Sequence, residues 1–453
     1  MRRAITLAGG GPAAGLHIGA LEGLQEAGIT FQVWALSCIG AWVGIVYNQW
    51  GSGNKAERTY NFFRDNVFRD DISYSRFPVN TVFGPDLRAN IAAVIKFLYD
   101  PSNYNNLVLP TKIAEAFRES ISFWSDPRRS SSEGDFNHWM LDQVLAVHPL
   151  SRFLTSLMYL SPLSGLSRIY YADSSFLKEI RFENLPRDVF IYHNAWNLSQ
   201  KKLQLFSNQP DKYKNICKES LCACSALPYV EETVTIDNEV YCEGALIDTV
   251  NFSRLIEDHE LDEIWVSRIV DVKQVKSPNN IKDALGNLCM LFAGSLGDDD
   301  VRLFKYHARD EKWKGVIYEI RVPTNINFDW TYENLEKGRA LGRAAVTELL
   351  DFYYFLQHYL KNDIERAAEC AKKLPDHDSL GLVAKAVTCY RTGRMDKAKE
   401  AVDLLCATDR AWRRYPRLEL GKTIHTPATL DRLMEDLWGA GLQCATANVT
   451  VES

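Results

Sequence analysis

The stretch VWALSCIGAWVG, residues 33–44, has the pattern of a buried β-strand that turns sharply into a helix. Turns of this kind commonly present a reactive serine in the pattern Gly-x-Ser-x-Gly. Here Cys38 occupies the serine position, Gly40 follows two places later, and Leu36 stands in place of the first glycine. The stretch therefore predicts a strand-to-helix elbow with a cysteine at its tip.

A glycine-rich turn precedes this elbow near the amino terminus. Residues 4–8, AITLA, predict a buried strand, and Gly9–Gly11 follow it directly before Pro12. Proline is favoured in the first turn of a helix, because its missing N–H would have no partner there. This helix is expected to end near Gly28. Two strand–turn–helix units in succession predict an α/β domain with a parallel sheet.

Later segments predict further strands, an insertion and a helical end. The strands are expected within residues 188–198, 233–237, 239–245 and 263–270, with a turn at Asp237-Asn238. Residues 51–175 are rich in aromatic residues and interrupted by prolines, and we interpret them as a helical insertion. From about residue 338 the pattern is helical. Two segments there, starting at Tyr359 and Tyr390, are similar to tetratricopeptide-like hairpins, although a stable array usually needs at least three repeats.

Composition excludes several classes of protein. A chain of 453 residues predicts more than one domain. Its net charge of −6 provides no basic field for nucleic acid, which we do not expect as a partner. The sequence contains neither the apolar run of a membrane-spanning helix nor that of a signal peptide. Ten cysteines without paired Cys-x-x-Cys motifs predict reduced thiols in a cytoplasmic protein, with neither a disulfide framework nor a zinc site.

Three separated segments contain the residues that are candidates for catalysis. The first is LAGGGPAAGLHIGAL, residues 7–21, and the second is LSCIGA, residues 36–41. The third is CACSALPYV, residues 222–230, followed by YCEGALID, residues 241–248. In this order they resemble the oxyanion loop, the nucleophile elbow, and the Ala-Ser-x-Ala-x-Pro and Asp-Gly-Gly/Ala motifs of the patatin-like phospholipase family. The resemblance covers roughly residues 3 to 350, with the insertion poorly matched.

The resemblance implies a fold and a domain organisation. The expected fold is a three-layer α/β/α arrangement with a mostly parallel central sheet, followed by an all-helical C-terminal region. Residues 1–338 would form the catalytic domain, in which the insertion at 51–175 would supply a lid and the acyl pocket. Residues 339–453 would form the helical region with the tetratricopeptide-like hairpins.

The resemblance also implies a catalytic pair. Cys38 takes the position of the nucleophilic serine, and Glu243 takes that of the catalytic aspartate. A thiol is far more acidic than a serine hydroxyl, with a pKa near ~8.5, so a single carboxylate is a sufficient base. Both replacements retain groups that can perform the two roles, which argues against random decay.

Backbone amides are expected to hold the oxyanion of the tetrahedral intermediate. Because Pro12 has no N–H, the donors of the glycine loop should be Gly10 and Gly11. The N–H of Ile39, the residue after the nucleophile, is a further donor by analogy with other elbows. Three more glycines support these motifs, namely Gly9 in the loop, Gly40 in the elbow and Gly244 after the base.

Several alternatives remain open from the sequence. Cys38 could be an inert buried thiol, or Ser37 could be the nucleophile, although Ile39 would then stand where the motif needs glycine. Asp248 is the substitute candidate for the base. A cysteine introduced in place of serine to trap an intermediate would leave Leu36 and Glu243 unexplained. Leu36 itself requires either a more open turn or a side chain that packs away from it.

Other polar residues are given structural roles. We interpret His17 and His193 as structural histidines. We expect buried packing rather than metal binding for three cysteines near the third segment, Cys222, Cys224 and Cys242. Asp298–Asp300 are expected to occupy the first turn of a helix, where negative charge is favourable.

The sequence thus predicts an acyl-transfer enzyme that forms an S-acyl intermediate and needs no cofactor or metal. The resemblance implies hydrolysis of lipid acyl esters, while a thioester intermediate would also accept amines, thiols or carbon nucleophiles. The expected substrate is a lipid ester or an acyl thioester that could be carrier-linked. Peripheral membrane contact and a protein partner for the helical C-terminal region are further possibilities. The alternative is a non-catalytic acyl-binding or scaffold protein with a vestigial pair.

Overall fold

The structure is a computed structural model, and it describes residues 1–68, 87–104, 110–141, 150–151, 153–154, 164–168 and 175–443. Its strands are β1 (Arg3–Leu7), β2 (Val33–Leu36), β3 (Gly165–Ser167), β4 (Phe190–Asn197), β5 (Lys202–Ser207), β6 (Lys214–Asn215), β7 (Tyr229–Glu231), β8 (Val234–Ile236), β9 (Glu239–Glu243), β10 (Glu263–Arg268) and β11 (Val316–Arg321). Its α-helices are α1 (Ala14–Glu26), α2 (Ile39–Asn48), α3 (Lys55–Asn66), α4 (Leu87–Tyr99), α5 (Pro110–Ser125), α6 (Pro127–Ser130), α7 (Glu133–Trp139), α8 (Ser175–Glu179), α9 (Lys218–Cys224), α10 (Leu255–Asp258), α11 (Ile281–Asp310), α12 (Tyr332–Leu360), α13 (Ile364–Lys373), α14 (Ser379–Arg391), α15 (Met395–Thr408), α16 (Ala411–Arg414), α17 (Pro416–Gly421) and α18 (Pro427–Gly439).

A nine-stranded sheet contains the strands that position the site. Its main path runs in the order β11-β10-β1-β2-β4-β5-β6, and β8 and β9 extend from β4. The five strands from β11 to β4 are parallel to one another, whereas β5 and β9 pair with β4 in the antiparallel sense. The expected mostly parallel sheet is confirmed. Asp237 and Asn238, with φ values of 52° and 63°, form the predicted turn between β8 and β9.

Helices cover both faces of this sheet. Ile5 and Leu7 of β1 pack in a hydrophobic core with residues of α1, α2 and α12. Ala4 and Ala8 point to the opposite face, where the second core includes Val301 of α11. Because alternate residues of a strand face opposite sides, these two cores lie on either side of the sheet. The predicted three-layer α/β/α fold is confirmed.

The chain divides into two compact units, Pro85–Arg168 and a larger unit of Met1–Gly84 with Ile169–Ser453. The smaller unit contains α4 to α7 and β3. Within it, the rings of Phe123 and Trp139 stack with their centroids 5.2 Å apart. The bounds of the insertion, 51–175, and the domain boundary at residue 338 remain predictions. The role of the insertion as a lid also remains a prediction.

The C-terminal region consists of helices, as the sequence predicts. Its first helix, α12, begins at Tyr332, slightly earlier than expected. Asn362 separates α12 from α13 and Gly393 separates α14 from α15; their φ values of 62° and 74° allow tight turns. The likeness of these two hairpins to tetratricopeptide repeats remains a prediction. Of the helices that the structure describes, none combines the length and the apolar character that a bilayer crossing demands.

One helix position predicted from the sequence is wrong. Asp298–Asp300 lie in the middle of α11, which begins at Ile281 after an Asn280 cap that accepts a hydrogen bond from the Asp283 amide. Asp298 and Asp300 are held there by other parts of the fold rather than by the helix N-terminus, whereas Asp299 pairs with Arg302 of the same helix. Asp298 pairs with Arg268, and Asp300 accepts the backbone N–H groups of residues 249 and 250.

Helices α1 and α12 cross at a contact made of glycines. A Cβ added at Gly19 would overlap the carbonyl oxygen of Arg339, and one at Gly342 would overlap that of Leu16. These overlaps are with backbone atoms, which cannot rotate away as a side chain can. The close crossing therefore requires glycine on both helices, and it fixes α1 directly behind the glycine loop.

Replacing Gly19 by alanine is expected to destabilise the protein by about 2–4 kcal/mol, because the helices must separate to admit the methyl group. Gly23→Ala, one turn further along α1, is the matched control: its Cβ would lie 3.0 Å from the Val346 side chain, and the backbone atom near it, the Arg343 carbonyl oxygen, would be at an ordinary contact distance of 3.7 Å. Urea and thermal unfolding would measure both changes. Equal stability of the two variants would show that the backbone contact does not set the helix spacing.

Candidate active site

Cys38 lies at the tip of the turn between β2 and α2. β2 ends at Leu36 and α2 begins at Ile39, and Cys38 adopts a φ of 48° and a ψ of −125° between them. A positive φ is unfavourable for a residue with a side chain and is found mostly at functional or strongly constrained positions. Gly40 permits the turn, because a Cβ there would overlap the carbonyl oxygen of Leu7. The chain thus has a strained strand-to-helix elbow.

Leu36 is accommodated by a glycine in the next helix. Its side chain is fully buried, and a Cβ added at Gly44 would lie 2.6 Å from Leu36 Cδ2. The Leu36 carbonyl accepts a hydrogen bond of 2.7 Å from Asn251 Nδ2. Leu36 therefore packs against α2, away from the reactive side of the turn, and Gly44 provides the space.

Glu243 lies at the end of β9, where this strand pairs with β4. The structure brings it to the elbow, where its carboxylate lies close enough to the Cys38 thiol for the two groups to affect each other's pKa. Both residues are almost fully buried, with 9% of Cys38 and 6% of Glu243 exposed. Gly244 permits this placement, since a Cβ there would lie 2.7 Å from Asn194 Oδ1.

Burial governs the protonation of this pair. It raises the pKa of Glu243 to about 7, although the neighbouring Cys38 thiol acts in the opposite direction. Burial and then the neighbouring Glu243 carboxylate raise the pKa of the Cys38 thiol well above its usual value. Near neutral pH the sulfur is therefore a protonated thiol beside a carboxyl group that can readily gain or lose its proton.

The glycine loop lies against the cysteine. A Cβ added at Gly9 would be 3.2 Å from Cys38 Cβ, and the Gly9 amide donates to the Thr249 carbonyl at 3.0 Å. By contrast, the amides of Gly10 and Gly11 donate to no acceptor among the residues that the structure describes. Ile39, the predicted further donor, begins α2 immediately after Cys38. Two unused donors thus lie in the loop beside the thiol.

A cavity of about 340 Å³ opens onto Cys38 and Glu243. The glycine loop lines one part of it, and α11 contributes Leu285, Leu288, Cys289, Phe292 and Leu296. Most of the remaining lining is apolar and comes from residues between 225 and 249 and from 328 to 330. Such a lining suits an acyl chain better than a charged group.

Helix α9 contributes contacts that the sequence did not predict. Cys224 Sγ accepts the Cys38 amide at 3.0 Å. On the next residue, Ser225 Oγ accepts a 2.6 Å hydrogen bond from the Trp42 indole. The sequence predicts only buried packing for Cys224, and its place in the third segment is the one sequence signal of its importance. It holds the elbow in position.

The alternative residues have other partners. Ser37 is buried and donates to Asn194 Oδ1 at 2.9 Å, while the Asp248 carboxylate accepts three hydrogen bonds from residues 252 and 253. His17 and His193 are buried beside Ser267 and Ser220, and burial lowers the pKa of each histidine to about 4. None of these four candidates lies among the described residues that line the cavity.

Comparison with known proteins assigns the chain to a family. The model of the family described as "Patatin-like phospholipase" matches residues 5–256, more than half of the chain, including the glycine loop, the elbow and Glu243. The chain belongs to the patatin-like phospholipase family. Membership supports hydrolysis of lipid acyl esters as the general class of activity.

The comparisons with solved structures and with curated sequences add no further assignment. Among solved structures, the chain is similar to VipD from Legionella pneumophila, with 13% sequence identity and a TM-score of 0.34, over 97% of this chain and 85% of that one. No curated protein sequence matches this patatin-like chain.

Proposed function

We propose that this patatin-like protein transfers acyl groups through a covalent intermediate on Cys38, with Glu243 as the base. The observation that carries the proposal is the placement of the Cys38 thiol beside the Glu243 carboxyl group, both lining one largely apolar cavity. The unused amides of Gly10 and Gly11 beside this thiol support it further. Together these provide a nucleophile, a proton acceptor and an oxyanion site.

The first half of the reaction forms the acyl-enzyme. Glu243 takes the thiol proton as the Cys38 sulfur attacks the carbonyl carbon of the substrate, and the carbonyl oxygen becomes an oxyanion held by the Gly10 and Gly11 amides. When this intermediate collapses, the bond to the alcohol or thiol leaving group breaks, and Glu243 returns the proton to that group. The product is a thioester on Cys38. Because the thiol pKa is so high, the proton must move during the attack rather than before it.

The second half releases the acyl group. A nucleophile, either water or another acceptor, attacks the thioester carbon while Glu243 accepts its proton. The carbon–sulfur bond then breaks, and the sulfur recovers that proton from Glu243. Family membership supports water as the acceptor and a lipid ester as the substrate. Transfer to an amine, thiol or carbon nucleophile is the finer form of the proposal, favoured by the reactivity of thioesters.

Intact-protein mass spectrometry tests the proposal. The protein is exposed to a series of activated acyl esters and acyl thioesters of increasing chain length. We expect a mass increase equal to one acyl group, larger in yield for chains that fill the apolar cavity, and removed by neutral hydroxylamine as a thioester should be. Product analysis with water alone and with added thiols or amines then identifies the acceptor. Binding of acyl donors with neither an adduct nor release of the leaving group would favour the non-catalytic scaffold.

A further inference from the structure

The larger unit contains a second cleft, which we call the basic cleft. It lies between the C-terminal half of α11, the segment 312–314 and the helices α16 to α18, with rim cations Lys312, Lys314 and Arg414. Its volume is about 1010 Å³, at the upper end of the roughly 300–1,000 Å³ of small-molecule sites. Within the described chain it shares no lining residue with the acyl cavity. The basic cleft is therefore a separate candidate site.

The acidic residues that line the cleft are already neutralised. Asp298 pairs with Arg268 at 2.5 Å and with Arg321 at 3.5 Å. Glu319 pairs with Lys305. These contacts remove both carboxylates, together with their partners, from the charge available to a ligand.

The rim cations remain unneutralised. Lys312, Lys314 and Arg414 are exposed, and within the described residues their side chains have no hydrogen-bond or ion-pair partner. The cleft thus offers three surface cations that suit oxygen atoms of an anion.

Aromatic rings complete the cleft. Tyr415 is 61% exposed and Trp438 is 52% exposed, and both line it. Trp313 lies between the two rim lysines and is fixed by a 2.8 Å hydrogen bond from its Nε1 to the Leu261 carbonyl. Exposed rings of this kind can stack on a planar ring of a ligand, with guanidinium and ammonium groups beside them.

We propose that the basic cleft binds a soluble organic polyphosphate that carries an aromatic base, such as a nucleoside di- or triphosphate. The phosphates would contact Lys312, Lys314 and Arg414, and the base would stack on Tyr415 or Trp438. The concave shape and limited volume favour such a compact ligand over an extended acidic peptide. The net charge of −6 for the whole chain disfavours a long nucleic acid.

Isothermal titration calorimetry of the full chain tests this site with ATP, ADP, inorganic pyrophosphate and a polyglutamate peptide. We expect ATP and ADP to bind more tightly than pyrophosphate, and binding to weaken as salt is added. The combined variant Lys312→Ala, Lys314→Ala and Arg414→Ala should weaken ATP binding by at least about tenfold. Trp438→Ala should weaken ATP binding more than pyrophosphate binding.

A charge-matched control variant distinguishes binding in the basic cleft from nonspecific attraction between ATP and the positive charges of the protein. Lys361→Ala, Lys372→Ala and Lys397→Ala remove the same charge from exposed positions outside the cleft lining, and ATP affinity should then match that of the wild type. The proposal is overturned if no phosphate probe binds, if polyglutamate binds more tightly than ATP, or if both triple variants behave alike. Circular dichroism verifies that each variant is folded.

Discussion

The Cys38→Ala variant is expected to form no acyl adduct and to lose acyl transfer by at least about a thousandfold. In the proposed mechanism the sulfur makes the covalent bond, whereas the glycine amides and the apolar cavity only bind the substrate and its oxyanion. Alanine keeps the elbow and removes only the sulfur. The measurement is the release of the leaving group from an activated ester, followed on the same samples by intact mass.

Cys289 provides the matched comparison for this experiment. It is the other thiol that the described structure has on the cavity lining, and burial raises its pKa to about 11. We expect the Cys289→Ala protein to retain the adduct at Cys38. If the adduct persisted in Cys38→Ala and disappeared in Cys289→Ala, the assignment of the nucleophile would be wrong.

The elbow and the glycine loop could be predicted because they are local. Gly9–Gly11 follow β1 after one residue, and Cys38 follows β2 within two residues, so strand and helix patterns alone predict both at the carboxyl ends of parallel strands. Such ends meet at one edge of the sheet. Local patterns do not predict the pairing of Cys38 with Glu243, because the two residues are far apart in sequence. Only the resemblance to the family motifs connects them.

The supporting contacts could not be predicted because they depend on packing between distant segments. Nothing near Leu36 reveals that Gly44 makes room for it, and nothing near Cys38 reveals that Cys224 accepts its amide. The prediction for Asp298–Asp300 is wrong for a different reason. The acidic run resembles a helix start, whereas the true start is marked by the capping pair Asn280 and Asp283, which the sequence does contain.

Replacing Glu243 by glutamine is expected to lower the rate of acyl-enzyme formation by roughly 10²- to 10⁴-fold, because an amide cannot accept the thiol proton. The wild-type rate should depend on pH in a defined direction. Glu243 must be ionised to act as a base, and its pKa is about 7, so the rate should rise as the pH increases through that value. In Glu243→Gln this inflection should disappear, and the residual rate should increase only at alkaline pH, where the thiol itself ionises.

Measuring the stability of Glu243→Gln distinguishes a loss of catalysis from a loss of folding. The pKa of Glu243 is raised in the folded state, so its protonated form favours folding at low pH, and that contribution is lost as the pH rises through about 7. Above this pH the ionised carboxylate opposes folding by up to a few kcal/mol, and glutamine removes that charge. Glu243→Gln should therefore be at least as stable as the wild type there while being far less active. Glu239→Gln, on the same strand but outside the cavity lining, should preserve the inflection. An unchanged pH profile in Glu243→Gln would mean that another group accepts the proton.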